Sequence, residues 1–95
     1  MDYEHRERTI AEVIDQLEFR FKYVKDSSPE ETGSTLLGFI WSTDNANELI
    51  MRYSKLGEIE ALVSDMDWQE DYQTDEAKQR LRVLIDQLKS QAASE

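Results

Sequence analysis

Ile10, Val13, Ile14, Leu17, Phe21 and Val24 recur at spacings of three, four and seven, which places them on one face of a helix. The pattern predicts a first helix from about Glu4 to Lys25, with Glu12, Asp15, Glu18, Arg20 and Lys22 around its polar surface. Phe19 and Tyr23 fall off the stripe and are candidates for a second contact surface. The helix should stop near Asp26, because Ser27, Ser28 and Pro29 favour a turn and proline holds its predecessor extended. Residues 27–34 are then expected to form an exposed loop. The apolar run Leu36–Trp41, interrupted by Gly38, shows no period of its own. It fits a buried strand or a short helix, with the helical neighbourhood favouring the helix and Trp41 expected inside.

Ser42, Thr43 and Asp44 are three successive N-cap candidates for a helix from about Asn45 to Leu56. Its apolar residues Leu49, Ile50, Tyr53 and Leu56 cluster on one side. The following set, Ile59, Leu62, Val63 and Met66, would be turned by roughly 120° on a continuous helix. One straight helix cannot aim both at a single core. A break at Gly57 in a left-handed conformation is predicted, followed by a helix from Glu58 to about Trp68. Gln69–Gln73 reads as a polar connector. Thr74 is placed to cap a last helix running to about Gln91, with Asp75 and Glu76 at its positive end and Ala77, Leu81, Leu84, Ile85, Leu88 and Ala92 along its buried stripe. Residues 92–95 should fray. The fold class expected is all-α: a small irregular bundle of four to five helices with long amphipathic first and last members, the two packed antiparallel.

Composition narrows this picture. Ninety-five residues suit one domain with a modest core. Charged residues make up 34% of the chain and apolar ones 39%, polar for a globular domain, yet the regular apolar spacing argues against disorder. Part of the apolar surface could be covered by a second copy, so a homo-oligomer is one expectation. Without cysteine there is no disulfide and no thiolate metal site. The apolar runs are far shorter than the roughly 18 residues a bilayer span needs, and the charged start has no apolar signal region. A cytoplasmic location is expected.

The net charge of −10 is unevenly placed. Residues 1–26 hold seven acids and five bases, residues 27–71 ten acids against Arg52 and Lys55, and residues 72–95 four of each. No base lies between Lys55 and Lys78, a stretch that contains Glu58, Glu60, Asp65, Asp67, Glu70, Asp71, Asp75 and Glu76. Such a run either serves solubility or docks a basic protein, with the mutual repulsion relieved on binding. Trp68 and Tyr72 lie within it. Aromatic side chains anchor interfaces, and neighbouring carboxylates engage Arg and Lys; Trp68 could equally close the core. Direct binding of DNA or RNA is excluded by the want of a basic footprint, and an anionic membrane surface is disfavoured for the same reason.

Chemistry finds little support. His5, the only histidine, sits among charged residues without an orienting partner, so no catalytic residue is predicted. Asp65, Asp67, Gln69, Asp71, Gln73 and Glu76 match ligand positions of a calcium loop, but Glu70 stands where its sharp turn needs glycine. Pairs two residues apart, such as Glu58 with Glu60, diverge on a helix and make no two-carboxylate site. Gly33, Gly38 and Gly57 are isolated and form no phosphate loop. No metal and no cofactor are expected.

The leading functional expectation is a small bacterial or phage inhibitor or regulator, not an enzyme. It would set the acidic run on the basic surface of a nuclease or other nucleic-acid-handling complex, with carboxylates standing where phosphates would sit. Immunity proteins, antitoxins and phage inhibitors work by this logic, and the analogy is one of composition alone. The alternative is a structural or assembly subunit that self-associates through its terminal helices.

Overall fold

The computed structural model describes residues 4–68 and 74–94, without the side chains of Pro29, Asp67, Trp68 and Thr74. It is an all-α bundle of five helices: α1 (Ile10–Val24), α2 (Pro29–Ser42), α3 (Ala46–Arg52), α4 (Ser54–Trp68) and α5 (Thr74–Ala93). α2 and α4 pack most extensively against each other at the centre, flanked by α1 and α5. Glu18 pairs with Lys89, and the Lys78 ammonium donates to the carbonyls of Lys25 and Ser27 (2.6 Å to the latter). α1 and α5 are therefore antiparallel, and Lys78 satisfies carbonyls at the C-terminal end of α1.

α1 starts later than its charged prelude suggested. Thr9 is the N-cap, with Glu12 N–H donating to its hydroxyl at 3.2 Å and the Thr9 N–H donating to the Glu12 carboxylate at 3.2 Å. That reciprocal box fixes the start. From Glu4 to Thr9 no apolar side chain is available to dock a further turn. The segment instead runs alongside the α2–α3 corner: Arg6 N–H donates to the Ser42 carbonyl (3.2 Å), and Asp44 N–H to that of Arg6 (2.8 Å). Asn45, at the N-cap position of α3 without capping it, exchanges two hydrogen bonds with the Arg8 backbone at 2.9 and 3.0 Å.

The expected exposed loop at 27–34 is largely helix. Ser28 accepts from Glu31 N–H at 3.2 Å, Pro29 occupies the first turn, and Glu30 and Glu31 face the positive end of the helix dipole. α2 buries Thr32, Gly33, Leu36, Phe39 and Ile40 on one face. The Thr32 hydroxyl donates to the Val24 carbonyl (2.9 Å), so a buried threonine joins α2 to the end of α1. Residues 35–41 are helical, as favoured, but Trp41 points away from this face and is 45% exposed, not buried.

The chain does break in the central segment, but at Tyr53, inside the first apolar set, and not at Gly57, so Leu56 joins Ile59 and Val63 on α4. Tyr53 is extended (φ −117°, ψ 97°), donates to the Leu49 carbonyl at 2.8 Å and accepts from Leu56 N–H at 3.0 Å. Ser42 and Thr43 end α2 rather than cap the next helix. Gly57 lies inside α4 without a positive φ. A Cβ there would stand 3.3 Å from the Ile50 Cγ2 atom, so glycine permits close approach of α3. Because Ile50 is only partly buried and the contact is a methyl group, a small shift can relieve it. Gly57→Ala is expected to leave stability unchanged or raise it by up to about 0.5 kcal/mol, helix propensity offsetting the contact. A loss of about 1 kcal/mol or more in urea denaturation would mean that Ile50 cannot move aside for the added methyl group.

The α5 stripe is buried at Ala77, Leu81, Leu84, Ile85 and Leu88, as expected, and joins Leu17, Leu36, Phe39, Leu56, Ile59 and Val63 in one core. Thr74 lies within α5, whose end is at Ala93. Gln91 reaches the start of α4, accepting from Lys55 N–H and donating to the Ser54 hydroxyl, both at 3.0 Å.

Candidate functional site

The acidic run divides when folded. On α4, at about 100° per residue, Glu58 and Asp65 lie within about 20° of each other, while Glu60 is turned about 160° from Glu58. The buried face, Leu56, Ile59, Val63 and Met66, separates these two flanks. Glu58 is neutralised: Lys55 approaches to 2.9 Å from the preceding turn and Arg80 to 3.7 Å from α5. It does not contribute an open negative charge. Glu60, Asp65, Asp75 and Glu76 make no ion pair among the described residues, with Asp65, Asp75 and Glu76 exposed and Glu60 half-buried.

Asp75 and Glu76 occupy the first turn of α5, where the helix dipole favours them. Asp75 also borders a shallow depression with Lys25, Lys78 and Arg82, so bases from both terminal helices reduce the field there. Glu70, Asp71 and Tyr72 lie outside the described residues, as do the side chains of Asp67 and Trp68. Most of the calcium-loop register falls there too. Among the described residues, no three His, Cys, Asp or Glu side chains are placed to hold a metal, and no helix is long and apolar enough to cross a membrane. His5 is exposed.

Two further features come from packing. Phe19 and Tyr23, one helical turn apart on α1, are 56% and 75% exposed and touch each other with ring centroids 5.2 Å apart. They border a groove between α1 and α2 with Arg20, Val24, Glu31 and Thr35. The off-stripe position of these rings was visible in the sequence; the acidic residue across the groove was not.

The second is Arg8, whose burial nothing in the sequence separated from the exposure of Arg6. Arg8 is 8% exposed and donates to the hydroxyls of Ser42 (3.1 Å) and Thr43 (3.0 Å) and to the Glu4 carbonyl (2.5 Å). Its guanidinium lies 5.0 Å from the Phe39 ring centroid, with that of Arg20 at 5.1 Å. Arg6 pairs instead with Glu12 at 2.6 Å, and this contact, with the Thr9 hydrogen bonds, holds the Glu12 carboxyl below its ordinary pKa. Compared with protein-family models, curated proteins and solved structures, the chain finds no match in any of the three.

Proposed function

We propose that this chain is a non-enzymatic acidic binding module, a small bacterial or phage inhibitor acting in the cytoplasm, that masks the basic surface of a nuclease or similar nucleic-acid-handling protein. The observation that carries the reading is the set of carboxylates at Glu60, Asp65, Asp75 and Glu76, which lack ion pairs among the described residues, in a sequence stretch without a base from Gly57 to Ala77. Asp67, Glu70 and Asp71 add charge to the same stretch, and Trp68 and Tyr72 supply apolar contact. Glu60 lies about 140° around α4 from Asp65, so these charges act through the summed field of the chain, which attracts a cationic partner and accelerates its encounter. Glu58, held by Lys55 and Arg80, is left at the margin.

Replacing Glu60, Asp65 and Glu76 together by lysine is expected to abolish capture of such a partner from lysate while leaving far-UV circular dichroism unchanged. Capture by the wild-type chain should fail at high salt and be reversed by a competing oligonucleotide. A partner that stays bound to the triple variant, or that holds the oligonucleotide and this chain at once, would contradict the masking model.

Self-association is the second reading, favoured by the exposed Phe19–Tyr23 pair. Leu84, 1% exposed, belongs to the core and offers no interface, and a net charge of −10 opposes pairing of two copies.

A further inference from the structure

The geometry points to a second contact surface on α1: Asp15, Phe19 and Tyr23, with Glu31 across the groove, form a ridge that takes an arginine-bearing segment of the basic partner. The inference rests on the basic-partner reading and adds a place and a side-chain preference to it. Asp15, Phe19 and Tyr23 follow at four-residue spacing, so they line up along the outside of α1. Both rings are solvated although the core is closed without them. Asp15 and Glu31 are exposed and carry no ion pair among the described residues.

Charge decides the occupant. Asp15 and Glu31 bracket the aromatic pair. Of the two bases beside it, Lys22 lies on the flank of α1 away from the groove and Arg20 lies over Phe39. The net charge of −10 repels a second copy and attracts a cation. Arg20, its guanidinium lying over Phe39, borders both this groove and the adjoining depression, so an incoming cation is kept to the outer ring faces. Among cations, a guanidinium fits better than an ammonium. It stacks flat on an aromatic ring and still offers paired N–H groups to a carboxylate. The fold already uses this contact internally, where Arg8 and Arg20 lie over Phe39 at 5.0 and 5.1 Å.

Fluorescein-labelled nona-arginine and nona-lysine peptides, followed by polarisation at low salt, test the ridge. The wild-type chain is expected to bind the arginine peptide about tenfold more tightly than the lysine peptide. Phe19→Gln with Tyr23→Gln should weaken the arginine peptide by about tenfold or more and erase the preference. Glu60→Lys with Asp65→Lys should weaken both peptides alike. Amide shift mapping on the wild-type chain, which needs no variant, should place the largest changes at residues 15–23 and 31–35. Changes confined elsewhere, or ring variants that bind both peptides as wild type does, overturn the ridge while leaving the acidic module intact if the α4 variant still loses binding. Failure of both peptides to bind wild type overturns both. A wild-type dimer dispersed by the ring variants, with peptide binding unaltered, assigns the face to self-association and also overturns the inference.

Discussion

Phe39→Ala is expected to lower the unfolding free energy by about 3–5 kcal/mol, a fifth or more of the roughly 5–15 kcal/mol that a domain ordinarily has. Phe39 is 1% exposed on α2, the helix that packs most extensively on α4. Truncation removes the transfer free energy of the ring and leaves a cavity that the surrounding helices can fill only in part. It also takes the aromatic face away from two guanidinium groups, at about 0.5–2 kcal/mol each depending on their solvation. Urea titration followed by circular dichroism should show the midpoint falling while the slope is unchanged. Phe39→Leu separates the two contributions, since leucine restores most of the volume but offers no π face. It should recover well over half of the loss. A cost below about 1 kcal/mol for Phe39→Ala would mean that the Phe39 ring is not close-packed in the core.

The sequence was most legible where helix burial is apolar. The stripes of α1 and α5 lie where periodicity put them, because Val, Ile, Leu and Phe are what those faces bury. α2 was legible only from Leu36 onward, since its first two turns bury Thr32 and Gly33. A hydrophobic pattern cannot see a threonine whose hydroxyl is satisfied by a carbonyl eight residues back, nor a buried glycine. The Ser28-Pro29-Glu30-Glu31 run carries the chemistry of a helix start as well as that of a turn, and the turn was preferred. The rotation between Tyr53 and Leu62 correctly required a break. Periodicity did not locate it: the chain turns at Tyr53, the extended C-cap of α3, and Leu56 goes to α4.

The candidate site was legible as composition and not as surface. The absence of bases between Lys55 and Lys78 is a fact of the sequence. That Arg80 crosses from α5 to neutralise Glu58 follows from how two helices pack, whereas the divergence of Glu60 from Glu58 is already set by helical spacing. Charge summed along a chain says nothing of which flank a carboxylate occupies. The α1 ridge shows the converse. Its rings were marked as surplus to the stripe, but only folding brings Glu31 to the groove beside them.

Arg8→Ala is expected to cost about 2–3 kcal/mol, a large effect for a residue in a segment that sequence patterning placed on a solvated helix. The guanidinium is buried and satisfied by neutral acceptors: the two hydroxyls of Ser42 and Thr43 and the carbonyl of Glu4. Hydrogen bonds from a charged donor are each worth about 1.5–3 kcal/mol, against which stands the desolvation of the cation. Substitutions separate these effects. Arg8→Lys keeps the charge, but one ammonium cannot span both hydroxyls and the carbonyl while stacking on Phe39, so it should be nearly as costly as alanine. Arg8→Met keeps volume against Phe39 and removes the buried charge; it leaves the Thr43 hydroxyl to find another partner and should lose about half as much. Amide exchange gives the local readout. The Asp44 N–H, donating to the Arg6 carbonyl at 2.8 Å, should lose protection in the alanine and lysine variants if Arg8 is what holds residues 4–8 against the α2–α3 corner. Wild-type stability in Arg8→Lys would show that charge alone suffices and that the planar fork is incidental.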